Sequence, residues 1–255
     1  MPEEVSFSDF AEVASTKIDG EPPVIVGGQA VNVWAIFYLP RIEQELMVHA
    51  PFVSKDLDLY GSKNVLEGLA KKYGVSIKWN PPRFPGVGQL AIPVGNKELK
   101  VELLSSIKGL RGAEAASAVD LTIQGVDLRV LDPITCLKAK VANAADLDQT
   151  GRQDVKHVSI MKICVREFVK DILQRAEQNL DSERAVVNCL EDIKSIIESP
   201  ESSKATQKWG LDLKASLPLD SIKASPLPKV QNFCLYRLKL APQISRKSPG
   251  SRMSM

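Results

Sequence analysis

Val24-Ile25-Val26-Gly27-Gly28-Gln29-Ala30-Val31, followed at a distance by Ser54-Lys55-Asp56-Leu57-Asp58-Leu59-Tyr60, is the part of this chain that decides its fold. Three apolar β-branched residues running into a glycine pair read as a short buried strand that ends where the backbone turns or approaches another group closely. In the second stretch, strand side chains repeat every two residues, so Asp56 and Asp58 share one face and Leu57 and Leu59 the other. A glycine-bared backbone next to two carboxylates suits a metal-bound triphosphate. Each half also has a plainer explanation. Gly27-Gly28 can be a tight strand-to-helix turn, and D-x-D a solvent-facing acidic pair.

Outward from these stretches, residues 8–16 carry Phe10, Val13 and Ala14 at helical spacing behind a Ser8 cap, and Pro22-Pro23 stops the helix. Residues 29–39 predict a helix that starts straight from the glycines and closes at Pro40. Residues 53–60 predict the strand that carries the aspartates. Then come a helix over 64–73 ended by Gly74, a strand over 75–79 and a loop over 81–86. Residues 90–94 and 99–107 form a ribbon turning at Gly95-Asn96. A second hairpin joins 121–123 to 126–131 at Gln124-Gly125. Beyond Asp132-Pro133 the periodicity becomes helical, over 134–145, 152–179 and 182–198. We expect a boundary there, with a catalytic domain over 1–132 and a helical domain over 133–200. Residues 201–255 form a basic, Ser/Pro-rich segment, partly disordered, with 245–255 its most disordered stretch.

Glu102 sits among apolar residues in Lys100-Val101-Glu102-Leu103-Leu104, where an unpaired charge is expensive. It is the candidate third carboxylate on a neighbouring strand, able to share a metal and to help deprotonate an attacking hydroxyl.

Composition narrows the class. With 44% hydrophobic and 25% charged residues the 255-residue chain can build an ordinary globular core. No apolar run reaches the roughly 20 residues that a membrane span needs, and the acidic start Met1-Pro2-Glu3-Glu4 lacks the features of a signal peptide. We expect a cytoplasmic protein without membrane association. Four scattered cysteines with no C-x-x-C, and only two histidines, argue against a zinc site or a disulfide framework. The net charge of +2 conceals an asymmetry: residues 201–255 hold ten Lys or Arg against three acids, hence +7, leaving −5 on the rest. Such a basic part can attract nucleic acid through phosphate contacts, or be a solvated tail.

On the residues Gly27-Gly28-Gln29-Ala30-Val31-Asn32, Pro51-Phe52-Val53-Ser54-Lys55-Asp56-Leu57-Asp58, Val101-Glu102-Leu103-Leu104 and Val130-Leu131-Asp132-Pro133, the chain resembles the nucleotidyltransferase superfamily. Within it, the resemblance is to the AbiEii/AbiGii toxin type, over about residues 6–175. The resemblance implies an α/β (α+β) fold: a nucleotidyltransferase-like mixed sheet flanked by helices, followed by a C-terminal helical domain. It makes Asp56, Asp58 and Glu102 catalytic residues and ligands of Mg²⁺ or Mn²⁺. It places Gly27, Gly28, Ser54, Lys140 and Asp154 at the nucleotide, with Lys138 second to Lys140. Three departures stand out. The distance from Gly28 to Asp56 is longer than usual, so residues 40–51 read as an inserted excursion over the site. The third acid is Glu rather than Asp. The later K-D-x-x-D signature is replaced by Gln153-Asp154-Val155-Lys156-His157, which keeps Asp154 but loses the final acid, and His157 reads more naturally as a structural histidine.

The resemblance therefore implies an enzyme that moves a nucleoside monophosphate from an NTP to a hydroxyl of RNA, such as the end of a tRNA, or of a protein. It would act as the toxin of a toxin–antitoxin or abortive-infection pair with an antitoxin partner. Two alternatives remain open at this point: a catalytically degenerate nucleotide-binding module, and an antibiotic-modifying adenylyltransferase acting on a small molecule.

Overall fold

The computed structural model describes residues 4–82, 84 and 86–239. In chain order the elements are α1 (Phe7–Ala14), β1 (Val24–Ile25), α2 (Gly27–Tyr38), α3 (Glu43–Met47), β2 (Leu57–Tyr60), α4 (Lys63–Tyr73), β3 (Lys78–Trp79), β4 (Gly86–Val94), β5 (Lys97–Leu104), α5 (Gly112–Ala115), β6 (Ala118–Ile123), β7 (Val126–Leu131), α6 (Pro133–Asp146), α7 (Asp154–Glu177), α8 (Glu183–Ile197) and α9 (Pro200–Trp209). A 3₁₀ turn (Leu213–Ser216), α10 (Leu219–Ala224) and α11 (Pro228–Tyr236) complete them.

The strands form one mixed seven-stranded sheet in the order β3-β4-β5-β2-β1-β7-β6. β1 runs parallel to β7 and antiparallel to β2, and β2 runs parallel to β5. Both predicted hairpins are present. Their turns work because Gly95, Gln124 and Gly125 adopt positive φ, at 58°, 51° and 79°. Alternation along β2 and β5 buries Leu57, Leu59, Val101 and Leu103 on one face. Asp58 and Glu102 stay half-buried on the other.

α2 is buried almost all round and packs against α7 through an aromatic cluster in which Trp34 stacks on Tyr38 and meets Phe37 and Phe168 edge to face. Trp34 Nε1–H donates to the Leu131 carbonyl at 2.8 Å, tying α2 to the end of β7. α6 follows at once, with Pro133 in its first turn and the Asp132 carboxylate accepting the Ile134 and Thr135 N–H groups at 3.0 Å. The apolar core runs without a break from the sheet through α6, α7, α8 and the helices beyond.

Several expectations change in detail. The first helix is capped by Ser6, not Ser8; Asp9 accepts both the Ser6 N–H (2.8 Å) and its hydroxyl (2.7 Å). The strand expected from residue 53 starts only at Leu57, because Ser54 pairs its backbone with Val5 instead and the chain bends through Lys55 and Asp56. The excursion over 40–51 contains α3, which packs against α7 by burying Leu46 and pairing Glu45 with Arg166 at 2.7 Å. Residues 200–236 carry helices whose Ala205, Ile222, Val230 and Phe233 are buried, so composition understates the order of this basic segment. The disorder expected for 245–255 lies outside the described residues, as do Arg83 and Pro85 of the loop over 81–86.

Candidate metal and nucleotide site

The parallel register of β2 and β5 puts Asp58 directly opposite Glu102. Asp56, just before β2, joins them: one ligand oxygen from each of the three carboxylates lies within 4.8 Å of the others. Among the described residues this is the sole cluster of three or more side chains able to hold a metal ion. Burial first, then the neighbouring charge of Asp56 and, less strongly, that of Glu102, pushes the Asp58 carboxyl up to about 7, against the opposing pull of Lys140 and Lys100. Lys100 Nζ lies 3.8 Å from Glu102, at the rim. Three converging carboxylates with so little cationic compensation, all offering hard oxygen donors, fit a divalent cation such as Mg²⁺ or Mn²⁺.

The glycine pair lies against these acids. Gly27 has φ +66° and opens α2, and the space its side chain would need is filled by the Asp58 carboxylate. A Cβ on Gly28 would lie 2.6 Å from Ser54 Oγ and 3.2 Å from His157 Cε1. Ser54 is held there by its two backbone hydrogen bonds to Val5 (2.7 and 3.1 Å), and Val5 is fixed in turn by the buried Gln29 side chain, which donates to its carbonyl at 3.0 Å. Gly86 plays a similar part on the far side. A Cβ there would lie 2.6 Å from Glu102 Oε1 and 2.9 Å from Asn80 Nδ2. The N–H groups of the first turn of α2, which have no intrahelical partner, together with its dipole, make this end of the site attractive to anions.

The helical side differs in character. Lys140 of α6 is buried and donates to Asp154 Oδ1 at 3.1 Å, while Arg152 Nε donates to Asp154 Oδ2 at 2.6 Å and Asn143 adds a bond at 3.3 Å. Burial alone would raise the Asp154 carboxyl, but Lys140 and Arg152 outweigh it and hold it below the usual range. Lys138 turns the other way and pairs with Glu114 at 2.6 Å. His157, one turn into α7, is buried with neither ring nitrogen hydrogen-bonded among the described residues; burial first, then Lys140, pushes it down to about 3, so the ring is neutral.

The structure thus brings Asp56, Asp58, Glu102, Gly27, Gly28 and Ser54 together, with Lys140 within electrostatic reach of Asp58. Asp154 is drawn into an ion-pair network with Lys140. Two residues were missed by sequence reasoning. Arg152 carried a weak signal, a cation two residues before a helix-opening acid. Gly86 carried no signal beyond ending a proline-rich loop. A separate cavity of about 710 Å³, lined by Arg111, Glu114, Asp132, Lys138 and Asp192 among others, contains none of the residues predicted for the site except Lys138, the second candidate to Lys140.

No protein-family model matches the chain, and no curated protein sequence matches it. Among solved structures, the chain is similar to an antigenic nucleotidyltransferase-like protein from Paracoccidioides brasiliensis, at 12% sequence identity over 76% of this chain and 96% of that one, with a TM-score of 0.35. No helix among the described residues is long and apolar enough to cross a membrane.

Proposed function

We propose that this chain is a divalent-metal-dependent nucleotidyltransferase, which moves a nucleoside monophosphate from an NTP to an acceptor hydroxyl and releases pyrophosphate. The observation that carries this reading is the convergence of Asp56, Asp58 and Glu102 against the glycine-opened N-terminus of α2. Three acids beside a helix N-terminus support a reading in which a cation and a polyphosphate bind side by side. A divalent cation bound by these carboxylates supplies charge neutralisation and polarises the phosphoryl oxygens. The chain's own residues do the rest. Gly27 and Gly28 admit the phosphates, Ser54 offers them a hydroxyl, and Glu102 accepts the acceptor's proton as its oxygen bonds the α-phosphorus and the bond to pyrophosphate breaks.

The acceptor in this reading is RNA, such as a tRNA end, or a protein side chain. The +7 charge on residues 201–255 favours RNA. The AbiEii-type sequence resemblance supports a toxin role with an antitoxin partner and a cytoplasmic setting. Incubation with each α-labelled NTP, Mg²⁺ or Mn²⁺, and either cellular RNA or protein lysate tests the reading. Label in the RNA fraction supports it, whereas no label in either fraction with any nucleotide counts against transfer.

One observation favours a second reading, a module that binds nucleotide without turning it over: Lys140 is engaged by Asp154 rather than free. That reading predicts calorimetric binding of Mg-NTP with no pyrophosphate release.

A further inference from the structure

His157 is 4% exposed, yet neither Nδ1 nor Nε2 has a hydrogen-bond partner among the described residues. A neutral imidazole carries one donor and one acceptor, and burying both unpaired is costly unless something else supplies the partner. The large majority of buried side-chain polar atoms are hydrogen-bonded, and His157 leaves both of its ring nitrogens without a partner among the described residues.

The ring edge that carries both nitrogens is turned toward the start of α2. Its Cε1 atom lies 3.2 Å from the point where a Cβ on Gly28 would sit, and Ser54 Oγ lies 2.6 Å from the same point. Cε1 is flanked by both ring nitrogens, so the edge turned toward Gly28 is the one that can hydrogen-bond. Imidazole and hydroxyl therefore converge on the second residue of α2, a twelve-residue helix whose first-turn N–H groups favour an anion. The ring is held in place by α7, where the His157 N–H donates to the Gln153 carbonyl at 2.8 Å and Asp154 is tied to Lys140.

We propose that His157 is a positioning residue for the substrate polyphosphate, donating its ring N–H to a phosphate oxygen seated over Gly28 beside the Ser54 hydroxyl. This rests on the nucleotidyltransferase reading and extends it to a residue that sequence alone assigns to the core. Neutrality suits the role, because burial and Lys140 keep the ring uncharged and leave a single directional donor.

Titration of the full chain with inorganic tripolyphosphate and Mg²⁺ tests the proposal independently of any base preference. His157→Phe should weaken tripolyphosphate binding about tenfold or more, the usual effect of losing one hydrogen bond to a charged group. Its melting temperature should not fall, and its Mn²⁺ affinity without tripolyphosphate should match wild type. His157→Gln, which retains an N–H donor, should recover part of the loss. Wild-type affinity in a folded His157→Phe overturns the proposal. If His157→Phe does not fold, His157→Leu and His157→Gln make the comparison, and equal affinities for the two overturn it. A wild-type chain that binds no tripolyphosphate contradicts the nucleotidyltransferase reading itself, and the role of His157 with it.

Discussion

Gly27 and Asp58 share one volume: the Asp58 carboxylate occupies the place a side chain on Gly27 would take. The bare backbone at the start of α2 is thus a condition for the second aspartate to stand where it does. Gly27→Ala must both adopt φ near +66°, which costs an L-residue about 1–2 kcal/mol, and displace that carboxylate. We expect a loss of stability of about 1–3 kcal/mol together with loss of metal-nucleotide binding. Gly74 has the same φ of +66° but open space around it. Gly74→Ala should lose a comparable 1–2 kcal/mol, roughly, with binding intact, and denaturant unfolding alongside nucleotide titration separates the two cases.

The raised Asp58 carboxyl gives the metal-free protein a pH signature. Its folded-state value of about 7 exceeds its ordinary value of 3.8, so the folded state holds a proton that the unfolded state has lost. The sign is therefore destabilising as pH rises: no penalty below about 4, growth between 4 and 7, and a plateau above. The full penalty is of the order of a few kcal/mol. Unfolding midpoints in a chelator across this window should fall for wild type and fall less for Asp58→Asn. Equal slopes would show that burial and the neighbouring carboxylates do not raise Asp58 as the structure implies.

Lys140 and Asp154 form a buried pair with side chains 9% and 1% exposed. Removing one partner leaves a buried charge, so Lys140→Met should cost about 2–4 kcal/mol, moderated because Arg152 still holds Asp154. The double variant Lys140→Met, Asp154→Leu should be less destabilised than the sum of the singles. A double-mutant cycle by denaturant unfolding reads this directly, and a coupling near zero would mean that the pair is not an energetic unit.

Trp34→Phe keeps an aromatic ring beside Tyr38 but removes the Nε1–H bond to the Leu131 carbonyl. A loss of about 1–2 kcal/mol follows from removing the shorter of the two bonds to this carbonyl, the Cys136 thiol at 3.5 Å remaining. Because this bond ties α2 to the end of β7, nucleotide affinity should fall along with the melting temperature.

Much of the site could be read in the sequence because its parts obey local rules. The D-x-D alternation fixes which face Asp58 occupies, the apolar neighbours of Glu102 mark a strand, and Gly27-Gly28 before an apolar helical run marks a strand-to-helix entry. The parallel pairing that sets Glu102 opposite Asp58 is a long-range register that no local pattern encodes. Asp56 lies outside the strand because the tie between Ser54 and Val5 competes with continuing it. The helices after residue 199 were obscured by Ser, Pro and Lys, residues that here serve as caps and exposed faces: Ser199 accepts the Ser202 N–H, and Pro200 and Pro228 sit in first turns. His157 looks like a core residue because it is buried on a helix face; the phosphate partner we propose for it leaves no mark in the local sequence.

In the proposed function, Asp56, Asp58 and Glu102 hold the divalent ion that accompanies a nucleoside triphosphate. Mn²⁺ binding followed by electron paramagnetic resonance, with and without ATP, tests it most directly. Wild type should bind Mn²⁺, and more tightly in the presence of ATP, whereas the double variant Asp56→Ala, Asp58→Ala, shown to be folded by circular dichroism, should lose both effects. Unchanged, ATP-enhanced Mn²⁺ binding in the folded double variant would contradict the account.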